Sequence, residues 1–140
     1  MTTIVSTLYH TGSGHTGSLA KAVAEGSGRV EGVETHLLTL APGQLGADGR
    51  WSDDAIMATL DDSDAILFGC PTYMGSVSAI MKAFMEAQLG RWAGQVFKDK
   101  FAGGFTNSAT MAGDKLNTLV DIVIFAAQLG MLWVPLGADS

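Results

Sequence analysis

Residues 4–19, Ile-Val-Ser-Thr-Leu-Tyr-His-Thr-Gly-Ser-Gly-His-Thr-Gly-Ser-Leu, constrain this chain more than any other stretch. An apolar strand runs directly into a loop of Gly, Ser, Thr and His, and the loop runs directly into a helix. Small residues let a bulky anion approach the backbone. The loop N–H groups and hydroxyls can then point at that anion, and the helix adds its positive N-terminal end. Strand, anion loop and helix in that order are the opening of a parallel α/β sheet.

Three phosphate-bearing ligands suit such a loop. Gly12, Gly14 and Gly17 match the dinucleotide fingerprint G-x-G-x-x-G. That fingerprint also expects an acid about 20 residues further on, at the end of the second strand. The second strand, Glu34–Leu40, instead runs into Ala41-Pro42-Gly43, so the dinucleotide reading loses its second support. A nucleoside-triphosphate loop needs Lys then Ser or Thr after the last Gly; Ser18 and Leu19 stand there. The third ligand is a single phosphomonoester such as that of FMN. Thr11, Ser13, Thr16 and Ser18 supply hydroxyl donors, and the loop has no Lys or Arg. That composition suits a hydrogen-bonded dianion.

The remaining chain alternates strands and helices, which indicates a parallel sheet covered on both faces. Strands are expected at Thr3–Leu8, Glu34–Leu40, Ala65–Cys70, Phe101–Phe105 and Met131–Leu136. Helices are expected from Thr16 to about Ala24, from an Ser52 or Asp53 cap through Leu60, over Val77–Met85 and from Asp114 to Leu129. Three polar loops, 10–17, 71–76 and 106–113, then follow the C-terminal ends of strands one, three and four. In a doubly wound sheet of order 2-1-3-4-5 that is where a ligand binds. The first loop can hold a phosphate while the other two grip a planar ring.

Length and composition fit one domain spanning residues 1–140, with 47% apolar and 16% charged residues. A net charge of −6 argues against nucleic acid or an anionic membrane as partner. The longest apolar run, around residues 119–127, is broken by Asp121 and is too short to span a bilayer. Cys70 is a lone cysteine at a strand end and reads as a small buried hydrophobe. It offers no disulfide framework, which suits a cytoplasmic protein. His10, His15 and His36 have no zinc-ligand spacing, and the Asp61-Asp62-Asp64 run reads as a solvated helix end, so no metal is expected.

Two features stand out. The fourth helix is apolar almost all round from Leu119 to Ala127, which suggests burial beyond the sheet, under a chain end or against another subunit. The sequence also stops at Ser140, directly after strand five. A doubly wound five-stranded sheet takes a last helix beside helix one; here it is apparently missing, and a tail or another subunit is expected to cover that face.

Taken together, Tyr9-His10-Thr11-Gly12-Ser13-Gly14-His15-Thr16, Pro71-Thr72-Tyr73-Met74-Gly75, Gly90-Arg91-Trp92-Ala93-Gly94 and Gly130-Met131-Leu132-Trp133-Val134-Pro135-Leu136-Gly137 resemble the flavodoxin-like superfamily. The closest branch is the NAD(P)H:quinone oxidoreductases of the tryptophan-repressor-binding-protein type. The resemblance covers essentially the whole chain and implies non-covalent FMN. It implies that Thr11, Gly12, Ser13, Gly14, His15 and Thr16 hold the phosphate. Thr72, Tyr73, Met74 and Gly75 would line one side of the isoalloxazine, and Asn107, Ser108, Ala109, Thr110 and Met111 the other. Trp92 matches a family tryptophan that helps form the quinone pocket, often across a subunit boundary. The implied reaction is hydride transfer from NADH or NADPH through flavin to a quinone-like acceptor, by a homodimer or homotetramer. No catalytic residue is assigned, because the cofactor carries the chemistry. A flavodoxin-type one-electron carrier is the alternative. Three departures from the family pattern bear on the acceptor: Tyr73 stands where the family has Arg, the third loop is less glycine-rich, and Gln128-Leu129 replaces a family His.

Overall fold

The computed structural model describes residues 1–137. Residues 138–140, including the Ser140 terminus on which the expectation of a missing segment rested, lie outside the described residues. In chain order the elements are β1 (Thr3–His10), α1 (His15–Gly28), β2 (Val33–Leu40), α2 (Asp54–Asp62) and β3 (Ala65–Tyr73). There follow β4 (Ser76–Val77), α3 (Ala79–Glu86), α4 (Leu89–Gly94), β5 (Phe101–Asn107), α5 (Lys115–Gln128) and β6 (Leu132–Trp133).

The sheet order is β2-β1-β3-β5-β6, with every pair on that path parallel. This is the expected 2-1-3-4-5 order and the flavodoxin-like α/β fold. The short β4 is additional and pairs antiparallel with the end of β3. Strand three therefore runs through Pro71-Thr72-Tyr73, which composition had assigned to a loop, because a hairpin partner gives those residues a ladder. The connector after α3 carries the short helix α4, and the final strand is only two residues long within the described part. Helix one extends beyond Ala24 through Gly26 and Gly28, since its contacts with β1 and β2 outweigh the local cost of two glycines.

One face of the sheet carries the core. Ile66, Phe68, Cys70 and Ala102 alternate inward and meet Phe84 and Met81 of α3, Leu60 of α2 and Ile122 and Ala126 of α5. Edge-to-face ring contacts join Trp51 to Phe84 (5.1 Å) and Phe68 to Phe125 (5.5 Å). The opposite face is covered by α1 over β1 and β2. On β5 and beyond it stays open: Phe101 is 52% exposed, and Leu132 and Val134 are similarly bare.

The acidic run is partly tied down: Asp62 and Asp64 are exposed as at a solvated helix end, while Asp61 and Asp64 hold partners. Asp61 takes a two-pronged bond from Arg91 (Nη2–Oδ2 2.8 Å, Nε–Oδ1 3.1 Å), which clips α4 to α2. Asp64 accepts the backbone N–H of Ile4 at 2.8 Å. Among the described residues no group of three His, Cys, Asp or Glu could hold a metal ion, and no helix is long and apolar enough to cross a membrane.

Candidate functional site

The parallel order places the C-terminal ends of β1, β3 and β5 side by side, so the three polar loops meet above the same edge. The first loop turns on Gly14, whose φ of +97° is left-handed and which serves as N-cap of α1. No side chain caps that helix, and its first turn has no acid. Its leading N–H groups, including those of His15 and Thr16, are left for a ligand. Thr11 Oγ1 accepts the N–H of Gly14 at 3.0 Å and shapes the turn. Ser13 and His15 are exposed, whereas Thr16 is buried.

The second loop is a hairpin. Tyr73 pairs with Ser76, and the two residues between them, Met74 (φ +49°) and Gly75 (φ +77°), both take positive φ. That is the geometry of a two-residue primed turn, which normally carries Asn or Gly first. Met74 holds it with its side chain wholly in solvent. Tyr73 reaches back over the first loop: a Cβ placed on Gly12 would lie 1.9 Å from its hydroxyl. Tyr73 thus closes against Gly12, which has no side chain to hold it off.

The third loop joins the first through Thr16, whose hydroxyl donates to Asn107 Oδ1 at 2.6 Å. Ser108, Thr110 and Met111 fold around a residue the sequence reading passed over. Lys115 Nζ donates to Ser108 Oγ (2.9 Å), Thr110 O (3.0 Å) and Met111 O (2.9 Å). A lysine opening a helix opposes the helix dipole. That mismatch was a sequence signal that Lys115 has another task. Ala109 and Met111 remain exposed.

A chain of hydroxyls underlies the cleft. Thr106 donates to the carbonyl of Cys70 at 2.7 Å, which leaves its oxygen to accept from Thr72 (2.8 Å). Thr72 in turn accepts from Thr118 of α5 (2.8 Å). Each hydroxyl has one proton, so the order of donation is set by the carbonyl at the end. Beneath the same loops His10 and Ser78 share a 2.8 Å hydrogen bond. Burial pushes the His10 pKa down, which keeps the ring neutral. Burial also pushes the Cys70 thiol up to about 11, against the lowering effect of hydrogen bonds from Ser78. That is the inert thiol expected from sequence.

Loops one, two and three therefore come together with their expected residues. Trp92 does not join them. It lies on α4, 48% exposed, in a groove of about 480 Å³ between α3 and α5 whose far end reaches Ser76, Val77 and Asp121.

Comparison with known proteins decides the family. The family model described as NADPH-dependent FMN reductase matches residues 8–138. The chain belongs to this family. It is 38% identical over 130 residues to flavodoxin FldP of Pseudomonas aeruginosa (strain UCBPP-PA14), covering 93% of this chain and 64% of that protein. It thus spans just under two thirds of that relative's length. Among solved structures it is similar to the flavodoxin, WrbA-like protein from Agrobacterium tumefaciens, with TM-score 0.79 and 44% identity over 97% of this chain and 79% of that one. The NAD(P)H:(acceptor) oxidoreductase FerB from Paracoccus denitrificans shares the fold at TM-score 0.72 and 18% identity, over 97% of this chain and 77% of that one.

Proposed function

We propose that this chain binds FMN in the three-loop cleft and serves as an oxidoreductase between NADH or NADPH and a small acceptor of the quinone class. The observation carrying this reading is the uncapped, acid-free N-terminus of α1 facing the Tyr73–Ser76 hairpin across Gly12. A phosphate suits that end of the helix. The free N–H groups and the hydroxyls of Thr11, Ser13 and Thr16 can hold a dianion without a lysine in the loop. Gly12, with no side chain, lets the Tyr73 hydroxyl of the hairpin pack directly on the first loop, so the two loops meet there.

When bound, FMN would supply the redox chemistry, hydride transfer from a nicotinamide and electron transfer to an acceptor. The residues of the chain would bind and orient it. Thr72, Tyr73, Met74 and Gly75 would form one wall of its site. Asn107, Ser108, Ala109, Thr110 and Met111 form the other, braced by Lys115. No side chain has to act as nucleophile. Exposed Leu89, Trp92, Val120 and Ile124 support association into a homodimer or homotetramer, with Trp92 near a neighbour's acceptor site. The single inert Cys70 suits a cytoplasmic setting.

A one-electron carrier is the second reading, favoured by the similarity to a protein named flavodoxin. Steady-state oxidation of NADH and NADPH by FMN-loaded protein, with a series of quinones, separates the two. Turnover supports the oxidoreductase; no turnover with any pair, in protein that holds FMN, refutes it in favour of the carrier.

A further inference from the structure

The hairpin that forms one wall of the proposed cleft is held in an unfavourable conformation by a helix whose contacting residues lie 42 to 46 positions further along the chain. Met74 sits at φ +49°, a region that non-glycine residues rarely occupy, and its own side chain touches nothing that would keep it there. The contacts come instead from α5. Asn117 Nδ2 donates to the carbonyl of Gly75 at 2.7 Å. Thr118 donates to Thr72 at 2.8 Å. Asp121 accepts the Ser76 hydroxyl at 2.5 Å and, more loosely, the Val77 N–H at 3.4 Å. Positions 117, 118 and 121 share one face of a helix, so three side chains of α5 grip residues 72, 75, 76 and 77 and span both sides of the turn.

We propose that Asn117, Thr118 and Asp121 are positioning residues that preorganise the flavin-binding hairpin, with Asp121 the principal clamp on its strained turn. The inference rests on the FMN reading above. Asp121 breaks the apolar stretch Leu119–Ala127 of α5, and the structure gives that interruption a use. The clamp works by population: a site that is competent only part of the time binds more weakly by that fraction. Without Asp121 the turn relaxes away from positive φ at Met74, and FMN must restore it on binding.

Two properties separate this from a general structural role. Glycine holds positive φ without steric cost, so Met74→Gly should restore affinity lost through Asp121→Ala, and should help that variant more than it helps the native chain. The Val77 amide should also lose hydrogen-exchange protection in the cofactor-free variant, which needs no flavin to observe. The experiment is an FMN titration, read by flavin fluorescence quenching, on the native chain, Asp121→Ala, Ser76→Ala, both together, Met74→Gly, and Met74→Gly with Asp121→Ala. Thermal melts of each cofactor-free form accompany it. The expected result is a Kd about tenfold higher for Asp121→Ala and for Ser76→Ala, no further loss when they are combined, and recovery of severalfold with Met74→Gly. Equal effects of Met74→Gly in both backgrounds, or an unchanged Kd in Asp121→Ala, would overturn the clamp while leaving the FMN site standing. A native chain that binds no FMN would overturn the site reading and the clamp with it.

Discussion

Replacing Gly12 by alanine tests whether the first two loops close on one another as the structure shows. The added Cβ would stand 1.9 Å from Tyr73 Oη and 3.2 Å from its Cζ. Ordinary contact needs about 3.5 Å, so the hydroxyl must retreat by more than an ångström. Gly12 is not at positive φ, so the substitution adds no backbone strain there. Tyr73 is 47% exposed and can swing into solvent. The overpacking cost of about 1–3 kcal/mol seen in closed cores should therefore shrink to about 1 kcal/mol or less. For a chain of 140 residues that is a Tm shift of about 4 °C at most. The site should suffer more, because the methyl pushes Tyr73 off the first loop and so displaces one wall of the proposed cleft. An FMN Kd raised about tenfold, or roughly 1.4 kcal/mol, is expected. Tyr73→Phe removes the atom that collides first, so it should lessen whatever stability Gly12→Ala loses. The assay pairs thermal unfolding of the cofactor-free protein with FMN titration. Native-like affinity in Gly12→Ala would refute Tyr73, held on Gly12, as a wall of the FMN site. A Tm loss well beyond 4 °C would instead show that Tyr73 is fixed and cannot yield.

Three further outcomes follow from the same geometry. Phe84→Ala removes a fully buried ring that contacts Trp51, Phe68 and Phe125; urea unfolding should show a loss of about 3–5 kcal/mol. His10 is buried with its pKa lowered below the ordinary 6.5, so the unfolded chain takes up a proton at higher pH than the folded one. Stability should be at full strength above pH 6.5 and fall as pH drops through the folded pKa; His10→Asn should flatten that part of the pH–stability profile, and an unchanged profile would refute the assignment. Cys70, with its thiol pushed to about 11, should resist a thiol-specific disulfide reagent at pH 8 in native protein and react fully in urea; rapid labelling of the folded chain would show that the strand end opens.

The Asp61–Arg91 clip shows how sequence proximity misleads. Three acids near a helix end look like a solvated turn, yet Asp61 and Asp64 each serve a partner far along the chain, Arg91 and the backbone of Ile4. Trp92 matches by resemblance a pocket often completed across a subunit boundary, and within one chain α4 carries it to a groove on the other side of the hairpin. The residues of the three loops were legible because each loop is bounded by local signals: an apolar strand before it, a helix start after it, and small or polar residues between. Lys115, Asn117 and Thr118 were not singled out, since each looks like an ordinary helix residue until its partner is known.

The sequence by itself determined the alternation of strands and helices and the placing of three polar loops at strand ends. These follow from periodicity and from turn residues, which act over short stretches of chain; the strand order 2-1-3-4-5 came from the resemblance, and the structure bears it out. Tertiary structure alone decided which side chains hold those loops in shape. Tyr73 lies on Gly12, Thr16 bonds to Asn107, and Asn117, Thr118 and Asp121 reach partners 42 to 46 residues away. Such pairings depend on which helix crosses over which strand and with which face turned inward. A helix repeats every 3.6 residues whatever stands opposite it, so its own sequence can mark a polar position on an apolar face, as Asp121 does, without naming the partner that position will meet.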